Sequence, residues 1–119
     1  MKMQHVTIHS AEYEKSLEFY QSIVGLEVRN RVGFNGAEIT FLCDKGAETA
    51  VEIIKSAPEE AFSGGGLSVG FRCNDVAGKR ESLIAQGFEA TPLVSPAPGT
   101  VFFFVKDPNG LTVQFIGTK

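Results

Sequence analysis

The sequence carries the same punctuation twice. Gly25-Leu26-Glu27 and Gly87-Phe88-Glu89 stand 62 residues apart, as do Val51-Glu52-Ile53-Ile54 and Val113-Gln114-Phe115-Ile116. A chain of 119 residues fits one ordinary domain. A repeat of about 60 residues therefore divides that domain into two similar modules.

Alternation and turn residues give each module the same order of elements. "QHVTIHS" reads as a strand, with His5, Thr7 and His9 on one face and Val6 and Ile8 on the other. Ser10 is placed to cap a helix over roughly residues 11 to 23, with Tyr13, Leu17, Tyr20 and Val24 as its buried stripe. Gly25 stands where a helix end needs positive φ. "LEVRNRV", "AEITFLCD" and "AVEIIK" follow as three strands. After a polar, glycine-rich linker the order recurs. "LSVGFRC" is a strand, Asn74 caps a helix from about Asp75 to Gln86, and "FEATPLV", "TVFFFVKD" and "LTVQFIG" are three more strands. The expectation is an α+β fold of two βαβββ modules in a single domain, 1–119. Module one covers about 1–57, the linker about 58–66 and module two about 67–119.

This architecture leaves surface to be accounted for. A four-stranded sheet with one helix has one face covered and the other bare. Two such sheets side by side can form a cupped, partly closed barrel of mixed and antiparallel strands. Matching positions of the two modules then face one interior. Glu52 matches Gln114, and His5 matches Ser68, with Leu67 as the alternative register.

Composition removes several classes of function. The net charge of −3 and the lack of a basic patch argue against a nucleic-acid partner. No apolar run is long enough to span a membrane, and "MKMQHVTIHS" has no signal-peptide core. Cys43 and Cys73 are read as buried free thiols in a reducing cytoplasm. "SGGGLS" lacks the lysine and the strand-before, helix-after setting of a phosphate loop.

The arrangement resembles the vicinal oxygen chelate superfamily, the glyoxalase, bleomycin-resistance and dioxygenase fold. The carriers are "HVTIHSAEYEKSLEFYQSIVGLEV", "AVEII", "GGLSVGFRCND" and "FFFVKDPNGLTVQFI". The resemblance implies a homodimeric small-molecule protein, and the cysteine usage implies a cytoplasmic one. Metal-binding members take one ligand from the first strand and one from the last strand of each module. Carried over, that pattern falls on His5 and Glu52 in module one. In module two Ser68 stands where a His is usual and Gln114 where a Glu is usual. One imidazole and one carboxylate do not neutralise a divalent zinc, nickel, iron or manganese ion as the usual four ligands do.

The candidate pocket residues are His5, Thr7, His9, Glu52, Ser68, Arg72, Phe103 and Gln114. Glu52 is the candidate catalytic group. His5, Glu52 and Gln114 are the metal candidates if an ion is held. His9 falls near the place of an Arg that grips a carboxylate in glutathione-dependent glyoxalases, and Ser56 replaces their Asn. Phe102, Phe103 and Phe104 cannot share one face, so one side packs the helix and the other lines the pocket. Two functions are expected in order: a sequestering, resistance-type binder or enzyme with a degraded metal site, then a metal-dependent lyase, isomerase or dioxygenase of the glyoxalase I kind. An interaction module with a vestigial pocket is the third.

Overall fold

The computed structural model describes all of residues 1–119, and the chain divides into two compact units, Met1–Ser63 and Gly64–Lys119. In unit one, strand β1 (His5–Ser10) leads into helix α1 (Tyr13–Glu18), which continues as a π-helical turn over Phe19–Ile23. Strands β2 (Glu27–Phe34), β3 (Ala37–Cys43) and β4 (Ala50–Lys55) follow. The sheet order is β1-β4-β3-β2, with β1 parallel to β4 and the other pairs antiparallel. The helical crossover explains the parallel pair, since hairpins can join only antiparallel neighbours.

Tyr13, Leu17 and Tyr20 form the buried stripe that the spacing predicts, while Val24 is half-buried. They belong to the same core as Ile8, Leu42 and Ile53. The Tyr13 hydroxyl is hydrogen-bonded to Thr40 on β3, so the one polar atom of that ring is satisfied. Ser10 stands two residues before the N-cap position, Glu12. Its hydroxyl accepts the Glu12 N–H (3.0 Å) and pairs with Ser16 Oγ (3.0 Å), while Glu12 itself opens the helix. The helix end closes by a hydrogen bond from Leu26 N–H to Tyr20 O (2.9 Å) over Gly25, whose φ of 89° suits glycine.

Unit two contains β5 (Ser68–Arg72), α2 (Val76–Ala85), β6 (Thr100–Lys106) and β7 (Thr112–Thr118). Its sheet order is β5-β7-β6, with β5 parallel and β6 antiparallel to β7. Helix α2 is capped by Asp75, which accepts the Gly78 N–H (3.0 Å), and not by Asn74 as the sequence suggests. The helix packs on the face that carries Phe115 and Gly117, where the Lys79 ammonium lies 5.5 Å from the Phe115 ring centroid.

The segment 88–94 departs from expectation. It is not a strand, but meets β6 at two points. Val94 and Phe102 exchange backbone hydrogen bonds of 2.9 Å, and Thr91 N–H donates to Phe104 O (3.0 Å). Between them the ladder fails for identifiable reasons. Pro92 has no N–H to offer. The Thr91 side chain, not its backbone, accepts the Phe104 N–H (2.8 Å). The Thr91 carbonyl instead accepts from Arg80 Nε (2.7 Å).

The turn between β6 and β7 is built around Asp107, which is 5% exposed. Its Oδ1 accepts the N–H groups of Asn109 (2.8 Å) and Leu111 (2.9 Å), and Asn109 Nδ2 donates to Oδ2 (3.1 Å). This carboxylate is a structural acceptor that fixes where β7 begins. Cys43 and Cys73 are free thiols. No helix is long and apolar enough to cross a membrane.

Candidate functional site

Strand register places most of the candidate residues on the sheet face turned away from each unit's helix. In unit one, β4 has Glu52 beside Thr7 of β1 and Phe41 of β3. His5 is opposite Ala50, and His9 is opposite Ile54. In unit two, β7 has Gln114 beside Gly70 of β5 and Phe104 of β6. Thr112 is opposite Ser68 on one side and Lys106 on the other. Ile116 is opposite Arg72 and Phe102.

The two ladders superpose row upon row. Glu52 matches Gln114, Thr7 matches Gly70, and Phe41 matches Phe104. His5, opposite Ala50, matches Ser68, opposite Thr112, so Ser68 and not Leu67 occupies the equivalent position. The repeat thus runs at 62 residues in the last strand and 63 in the first.

Glu52 is 9% exposed, and both of its polar side-chain neighbours lie at Oε1. Thr7 Oγ1 donates to it, and His5 Nε2 lies 3.3 Å away. The His5 ring packs edge-on against Phe41 at 5.7 Å, and its Nδ1 is buried with no partner. Glu52 Oε2 has no protein partner and is not sealed in the interior. Arg29, at the bulge in β2, sits over the Phe41 ring at 5.5 Å. His9 is exposed and its Nδ1 lies 3.2 Å from Ser56 Oγ.

Gln114 is arranged differently. No protein group hydrogen-bonds its carboxamide, and the amide leans across β5. A Cβ at position 70 would lie 2.8 Å from Gln114 Oε1. Gly70 therefore gives the amide oxygen its space, where Thr7 in unit one gives Glu52 a donor. Unit two has neither a carboxylate nor an imidazole on this face.

The donor set does not fit a tightly held metal ion. No group of three or more His, Cys, Asp or Glu side chains is placed to hold one. A ligating His normally binds through one nitrogen while the other donates to an outer-shell acceptor. Here Nε2 faces Glu52 and Nδ1 has no acceptor at all. The remaining candidate, Gln114, offers a neutral amide oxygen, a weak ligand for zinc or nickel.

Phe103 corrects the expectation for the pocket. It is 0% exposed and stacked on Phe115 at 5.5 Å, inside the core under α2. Phe102 and Phe104 take the bare face, in edge-to-face contact at 5.4 Å. Phe41 and Lys106 were missed as face residues, Phe103 was named in place of Phe104, and Gly70 and Thr112 share the parity of Ser68 and Gln114 without having been named as pocket residues. The parity of Gln114 on β7 was the available signal, since Phe104 pairs with it directly.

A cavity of about 530 Å³ opens beside this face in unit two, lined by residues 88–91, residues 104–106 and Thr112. A second, of about 310 Å³, shares Phe104 and Thr112 and includes Ser68.

Comparison with known proteins agrees with this architecture. A lactoylglutathione lyase of Haemophilus influenzae is 27% identical over 130 positions, covering 100% of this chain and 94% of the relative. One from Neisseria meningitidis is 25% identical over 127 positions, covering 100% and 92%. The fold matches the crystal structure of TnmS3, an antibiotic binding protein from Streptomyces, with a TM-score of 0.81 at 19% identity, covering 100% and 97%. The model of the Glyoxalase/Bleomycin resistance protein/Dioxygenase superfamily matches residues 2–115. The chain belongs to that superfamily.

Proposed function

We propose that the chain binds a small molecule on the sheet faces turned away from its helices, without a tightly held metal ion. One observation carries this reading. Glu52 Oε1 already accepts from Thr7 and has His5 Nε2 of its own unit 3.3 Å away, while the matching positions of unit two, Ser68 and Gln114, are neutral. In this reading Thr7 and His5 orient Glu52, and Oε2 faces the ligand as acceptor or base. Gln114 donates and accepts at a neutral group of the ligand. His9 and Arg72 contribute polar groups at the edges of their faces. The protein acts as a homodimer, a common arrangement in this fold. Val32 and Phe34 on edge strand β2, 44% and 67% exposed, are apolar surface that association would cover.

The second reading is a lactoylglutathione lyase, favoured by full-length similarity to curated lyases at 25–27% identity. It requires His5, Glu52 and Gln114 to hold a divalent ion. Lactoylglutathione lyase activity, assayed with added zinc, nickel, manganese and iron(II), separates the two. Turnover at background with every metal is the expected result. Metal-dependent turnover that disappears in Glu52→Gln would select the lyase.

A further inference from the structure

From the second unit's bare face we infer a ligand class: a planar aromatic molecule carrying a single carboxylate. The inference rests on the reading that this face binds a small molecule. Its three rows of strand residues include two cations, Arg72 and Lys106, and no acid. Strand geometry puts those cations about 13 Å apart along the strands alone, so one compact ligand meets only one of them. Lys106 is the one that lines the 530 Å³ cavity. Its Nζ donates to Thr112 Oγ1 (2.8 Å), which fixes the ammonium and leaves two of its three N–H donors for a ligand.

Phe104 is half-buried, adjoins Lys106 in the 530 Å³ cavity, and is held edge-on by Phe102. It offers an aromatic ring as a stacking surface. In the same row as Phe104, one row from Lys106, the unpaired carboxamide of Gln114 lies over Gly70, where it reads a polar substituent on the ring. The volume suits a one- or two-ring ligand. Glu89 stands on the cavity wall as the opposing charge. It selects against a second negative group, which limits the ligand to a monoanion.

The test is a titration of the full chain with 2-naphthoate, followed by amide chemical shifts, beside 2-naphthamide and cyclohexanecarboxylate. Saturable shifts clustered at 88–91, 104–106 and 112–114 are expected for naphthoate, with clearly weaker binding of both controls. Lys106→Met should weaken naphthoate roughly tenfold, the size of one lost charge-assisted hydrogen bond, and leave naphthamide unchanged. Phe104→Ala should weaken both aromatic compounds, Gly70→Ala should displace Gln114, and Glu89→Gln should tighten naphthoate. Amide spectra of each variant confirm that it remains folded. Equal naphthoate affinity in wild type and Lys106→Met, or equal affinity for cyclohexanecarboxylate, overturns the inference. Binding of naphthamide but not naphthoate also overturns it, while sparing the binding reading. If neither aromatic binds, the inference falls, and a thermal-shift screen without any hit takes the underlying reading with it.

Discussion

Replacing Gly117 with alanine is expected to cost at least about 3 kcal/mol of folding stability, at the severe end for a single added methyl group. The new Cβ would stand 2.1 Å from the carbonyl oxygen of Cys73 and 3.0 Å from Val76 Cγ2. The nearest obstacle is backbone, so no rotamer change relieves it. The Cys73 N–H also donates to Ile116 O (2.8 Å), which ties the end of β5 to β7 at this point. Either that junction opens or α2 lifts from the sheet. Urea denaturation measures the loss, with the exposed neighbour Thr118→Ala as the control. A Gly117→Ala midpoint close to that of wild type would mean that β7 and the start of α2 do not approach as closely as described.

The second large effect separates two adjacent phenylalanines. Phe103→Ala should lose about 3–5 kcal/mol, because a fully buried ring leaves a cavity against Phe115 and the underside of α2. Phe104→Ala should lose much less, about 1 kcal/mol, because its ring lies on the bare face and is only half-buried. Ligand binding should show the opposite order wherever Phe103→Ala still folds. Equal destabilisation by both substitutions would contradict the strand register of β6 against β7.

That pair also shows what was legible in the sequence and what was not. The alternation of Leu111, Val113 and Phe115 against Thr112, Gln114 and Ile116 gave β7 its two faces, and the structure keeps them. Three consecutive phenylalanines have no alternation of their own, so their parity came only from pairing. Phe103 is opposite Phe115, and Phe104 is opposite Gln114. The 62-residue repeat located the last strands correctly but left the first strands ambiguous between Leu67 and Ser68. Backbone pairing settles it, because Ser68 faces Thr112 as His5 faces Ala50. Segment 88–94 carried β-branched and aromatic residues suited to a strand. Its proline and the competing bonds of Thr91 and Arg80 outweighed that preference. Asn74 and Asp75 are both good caps, and local propensity could not choose between neighbours.

The candidate site was legible in part for a related reason. Residue type marked His5, Glu52 and Gln114 as unusual on apolar strands. Nothing in the sequence showed that Thr7 and His5 converge on one oxygen of Glu52, or that Gly70 makes room for the amide of Gln114. Those are cross-strand relations, fixed by register. They define two different faces: one with a carboxylate bonded within its own unit, the other neutral at the matching positions, with a free amide and aromatic rings.

Calorimetric titration of nickel and zinc into metal-stripped protein tests that distinction most directly. Heats no larger than dilution, or a dissociation constant weaker than about 10 µM, are expected from a lone imidazole–carboxylate pair. One ion bound per chain with a dissociation constant below about 1 µM, and lost in both His5→Ala and Glu52→Gln, would contradict it.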